Sequence, residues 1–157
     1  MLRIIAGIIV GVVVTFALVM ATFGITIAAL GGLEHALKPN SWWTTETFNI
    51  IIVIGGFVAA IIGGLACAFV ARDFKAAFAL AAIILAIRVG NLVMNMNRPD
   101  PPPRTARAAD AGAPTLEDMF DHGKEPTWFA LSMTLTGATG VLIGGALVKK
   151  LPLGSAR

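Results

Sequence analysis

Charge is what this chain has least of. Asp, Glu, Lys and Arg together make up 13% of its 157 residues, where a soluble domain carries about a quarter. Half that supply cannot cover the surface of a soluble globule, so that class is set aside. Cysteine is almost missing as well. Cys67 lies alone inside an apolar run, forms no internal disulfide and reads as a small buried residue rather than a reactive thiol. It carries no information about compartment.

The spacings that hold metals or phosphates are absent too. The two histidines, His35 and His122, belong to no H-x-x-x-H or E-x-x-H pattern, and no C-x-x-C occurs. Glu34 and His35 are adjacent, so on a helix they point about 100° apart and do not grip one ion together. The glycine pairs lie inside apolar runs, and none leads into the G-K-[ST] of a phosphate loop. No serine has a plausible catalytic base near it in sequence. We therefore expect neither an enzyme nor a bound cofactor or metal. The net charge of +3 and pI near 9.5 do not point to nucleic acid, because the basic residues stand singly and form no stripe.

What the chain does have is long apolar runs. Residues 4–33, 47–71 and 127–148 contain no charge, and 76–97 contain only Arg88. A run of 22 residues reaches about 33 Å as a helix, enough for a hydrocarbon core of roughly 30 Å. Backbone groups in lipid must pair within their own segment, so each run reads as a helix. The expectation is one all-α domain over 1–157, an integral membrane four-helix bundle in a lipid bilayer. The first run is too long for a signal-peptide core and reads as an uncleaved anchor.

Arg3, Arg72, Lys75, Lys149, Lys150 and Arg157 mark one side of these spans in short segments. Lys38, Arg98, Arg104, Arg107 and Lys124 are spread over two longer segments on the other. By the positive-inside rule both termini are cytoplasmic, and Trp42, Trp43 and Trp128 form an outer aromatic belt. The outer loop, 98–126, holds six of the eight prolines, and its first half should be extended or disordered. In its second half Thr115 and Asp118 have the spacing of a helix cap, with Leu116, Met119 and Phe120 as an apolar side and Gly123 as a stop.

Two kinds of residue stand out inside the runs. Small residues recur every four positions: Gly55, Ala59, Gly63 and Cys67; Gly56, Ala60, Gly64 and Ala68; Ser132, Thr136, Gly140 and Gly144. Small residues let helix backbones approach closely in lipid. They serve packing inside this bundle, or one stripe meets another subunit. The polar set is Arg88, Asn91 and Asn95, whose spacing puts them on one helix face. Arg88 either pairs with Glu34 or Glu46, snorkels outward, or lines a ligand or ion site.

The motifs "LEHALKP", "GG…GGLACAFVAR" and "EPTWF" give the chain a layout that resembles small four-span bacterial membrane proteins. That resemblance implies a fold and a bacterial inner membrane, with no activity attached, and the proline-rich insert after the third run departs from it. Fluoride channels and small multidrug transporters share the size and span count. This chain lacks the intramembrane glutamate of the transporters and the arginine-bearing glycine motif of the channels.

Two functions are therefore expected. The first is a non-catalytic accessory or scaffolding protein whose partners are other membrane subunits or further copies of itself. The alternative is a small oligomeric transporter or channel with an Arg/Asn-lined path.

Overall fold

The computed structural model describes residues 1–101, 103–104 and 114–150. Among them the chain is all-helical: α1 (Leu2–Leu30), α2 (Leu33–Ala36), α3 (Glu46–Ala71), α4 (Phe74–Asn97), α5 (Leu116–His122) and α6 (Thr127–Lys150). Four of these, α1, α3, α4 and α6, are long and apolar enough to cross a membrane. Most of the proline-rich stretch expected to be extended falls outside the described residues.

The helix ends follow local chemistry. α1 stops three residues short of the expected Leu33, because Gly31 and Gly32 both take positive φ, 85° and 123°. Gly31 N–H donates to the Ala28 carbonyl at 3.2 Å and Gly32 N–H to that of Ile27 at 3.0 Å. These two bonds close the last turn as a Schellman motif, which glycine adopts without steric cost. A search for uncharged residues runs straight through that stop. Thr45 caps α3 by accepting from Phe48 N–H at 3.4 Å. α3 ends at Arg72 in the left-handed conformation, and Asp73 Oδ1 then caps α4 on Lys75 N–H at 2.9 Å. "RDFK" is thus a two-residue turn with the first turn of α4 attached.

α3 lies at the centre. It runs antiparallel to α1 and parallel to α6, and α4 runs antiparallel along α6. Each small stripe of α3 is used within the chain. A Cβ on Gly55 would strike Thr22, and one on Gly63 would strike Thr15, both of α1. On the neighbouring stripe, Gly56 faces Met133, Gly64 lies on the backbone of Val141, and a Cβ on Gly140 would sit 2.8 Å from that of Ala60. Gly144 lies on the backbone of Ile61 and Leu65. One stripe seats α1 and the other seats α6, leaving neither for another subunit.

Side-chain size is sorted the opposite way from a soluble protein. Phe16, Ile54 and Phe78 are about 60% exposed, at 63%, 60% and 62%, while Ala76, Ala77, Thr26 and Asn49 are buried. That sorting, with four long apolar helices, fits a membrane-spanning helical bundle. The end bearing the α3–α4 turn packs through alanines, Cys67, Leu80 and Val141. The opposite end, here the cap end, packs through Phe48, Ile52, Phe129 and Met133 beneath α2 and α5.

Candidate functional site

The cap end gathers most of the polar chemistry the chain possesses. Its frame is backbone. Leu37 and Thr44 bridge antiparallel across a turn in which Asn40 has φ 54°. Lys38 N–H donates to Trp43 at 2.8 Å, and Thr45 N–H to Ala36 at 2.8 Å. Trp43 then bridges Lys124, whose N–H reaches the Trp42 carbonyl at 3.1 Å. Segments 37–45 and 123–125 therefore form one small layer over the bundle.

Aromatic and charged side chains fasten this layer. Trp42, 4% exposed, stacks on His122 with centroids 5.2 Å apart. Lys124 Nζ lies 5.4 Å from the Trp43 ring centroid and pairs with Asp100 at 2.6 Å. α5 carries the Thr115–Asp118 capping box in both directions. Its apolar side is divided, however: Met119 packs inward, while Leu116 and Phe120 are 51% and 67% exposed.

α4 is tied to this layer through carbonyls. Asn95 Nδ2 donates to the Glu125 carbonyl at 3.1 Å, and Arg98 donates to those of Asp121 at 2.8 Å and Gly123 at 3.4 Å. Arg88 and Asn95 belong to a half-buried stripe with Ile84 and Leu92. Asn91 is turned away and exposed. The face that spacing assembled from three residues is split, because a stripe facing α6 admits positions 84, 88, 92 and 95 but excludes 91.

Neither carboxylate expected to pair with Arg88 does so. Glu34 and Glu46 are exposed, and among the described residues neither forms an ion pair with Arg88. They stand on α2 and α3, whereas α4 packs chiefly on α6. Glu125, just before α6, is the carboxylate that feels the Arg88 charge, at a separation beyond ion-pair contact. Burial of its carboxyl among packed atoms pushes its pKa above the ordinary carboxylate range, and the Arg88 charge draws it back down. The side chain also keeps an accessible side, where water screens the ion.

Two further polar groups were not singled out by the sequence. Asn49 is fully buried with no hydrogen-bond partner for either amide atom, and Thr44 Oγ1 is buried and unpaired as well. Asn49 is a lone amide in "TFNIIIVIGGFV", and that contrast was a readable signal. Glu125 was readable too, as the acid next to the last apolar run. Among the described residues no three His, Cys, Asp or Glu side chains cluster to hold a metal. His35 is exposed on α2. No family model, curated protein or solved structure matches the chain.

Proposed function

We propose that the chain is a non-catalytic multi-pass protein of the bacterial inner membrane, an accessory or scaffolding subunit that packs against other membrane helices. Both termini are cytoplasmic in this reading, and the cap faces outward. The observation that carries it is the cap-end half of α4. Only a narrow stripe of this half-helix turns toward the bundle, yet its free side carries Gly90 and the amide of Asn91. Lipid tails offer an amide no hydrogen bond, so a side chain of that kind at membrane depth calls for another protein helix.

The alternative, an oligomeric transporter or channel, needs Arg88, Asn91 and Asn95 to line one path. Asn95 is bonded to the Glu125 carbonyl, Arg88 lies half-buried on the stripe that faces the bundle, and Asn91 points elsewhere. Purification in mild detergent separates the readings. A bound membrane subunit or second copy with no ion flux in liposomes is the expected result. Selective anion flux that Arg88→Ala abolishes would put the alternative first.

A further inference from the structure

The free side of α4 has a definite geometry. Ile87, Asn91 and Met94 follow one another at steps of four and three and are all exposed, with Ile83 and Gly90 along one flank; Ile83, Ile87 and Met94 are 42%, 58% and 73% accessible. Such steps describe a stripe that packs on a like helix at a shallow left-handed crossing. A Cβ built on Gly90 meets nothing within 4 Å, so another backbone can come close there. Asn91 stands beside Gly90, one turn beyond Ile87. Among the described residues its amide has no partner.

Depth decides what the partner must offer. Asn91 lies six residues inside the cap-end terminus of α4, about 9 Å at the helical rise. The 24-residue helix is about 6 Å longer than a hydrocarbon core of roughly 30 Å. Centred in the bilayer, it places Asn91 about 6 Å below the hydrocarbon boundary, beyond the reach of so short a side chain to water. Asn97, also exposed, sits at the helix end among headgroups and needs no such partner.

We propose that two copies of the chain pair through this stripe of α4, with the Asn91 amides hydrogen-bonded to each other. Copies inserted with the same orientation carry Asn91 at the same depth. A two-fold axis along the membrane normal therefore brings the two amides together without adjustment. An amide holds two donors and an acceptor, so it is complementary to itself, as a charged group is not. Gly90 supplies the close approach, and Ile87 and Met94 fill the contact on either side. The pairing rests on the membrane reading above and names a second copy as the partner.

Cysteine cross-linking in native membranes tests it, in a Cys67→Ala background. Ile87→Cys and Met94→Cys should form disulfide-linked dimers under mild oxidation. Val89→Cys, exposed on the other side of α4, should not. Adding Asn91→Leu should lower the Met94→Cys dimer yield about three- to tenfold, and Asn91→Gln should restore most of it. Equal yields at Met94 and Val89 would mean random collision and overturn the pairing. So would membrane-embedded chains that form no dimer, or cross-links from Met94→Cys to a different protein. Recovery of the chain outside the membrane fraction would defeat the membrane reading itself, and the depth argument with it.

Discussion

A guanidinium on a span stays charged, so the side chains around it must answer that charge. Glu125, in the segment that leads into α6, is the carboxylate that lies within the field of Arg88. Its carboxyl is raised by burial, so the folded state favours the protonated form. The unfolded state then loses its proton first as pH rises, and stability falls with increasing pH between the ordinary carboxylate pKa and the raised one. The thermal midpoint in detergent should therefore decrease across that window, and Glu125→Gln should remove this component of the pH profile. An unchanged profile in the variant would contradict the assignment. Asn49 gives a second expectation. A buried amide with no partner costs on the order of 1–3 kcal/mol, so Asn49→Leu should leave thermal stability unchanged or raise it. A clear drop in the midpoint would mean that the amide is bonded after all. At this scale the residue types were legible in the sequence and their partners were not. Arg88 announces a charge on a span, but which acid comes into its field depends on α4 lying against α6, and periodicity carries no such information.

Glycine decides the contacts between elements. Gly64 and Gly144 touch backbone across the α3–α6 contact, where even one methyl group forces the helices apart. Gly64→Ala and Gly144→Ala should each lower stability by about 1–3 kcal/mol. Gly24 meets nothing within 4 Å, so Gly24→Ala should be neutral or mildly stabilising, since alanine is the better helix former. Thermal melts of the three variants in one detergent check the contrast, and equal losses would refute the packing scheme. The four long helices were fully legible, because each is a long run nearly free of charge. The small stripes of α3 were legible as contacts, but their destinations were not: a helix seated between two neighbours needs two smooth stripes, and that requirement appears only once α1 and α6 are in place. The end of α1 was misjudged for a simpler reason. Gly31–Gly32 is apolar to a hydropathy scan and is a stop signal in backbone geometry.

Over the whole molecule, four helices long and apolar enough to cross a membrane form a bundle, with one end closed by an organised layer and α4 exposed at its edge. The fold class was readable from charge scarcity and run length alone. The cap was not, since it is built from backbone bonds between segments 37–45 and 123–125, and no periodic pattern encodes it. The claim on which the rest depends is that these helices cross the membrane with the cap outside. It is tested most directly by labelling intact cells with an impermeant maleimide, using Glu34→Cys and Ser155→Cys in a Cys67→Ala background. The account predicts that Glu34→Cys labels at once and that Ser155→Cys labels only after permeabilisation. The reverse pattern would invert the orientation, and equal labelling of both in intact cells would contradict the four-span topology.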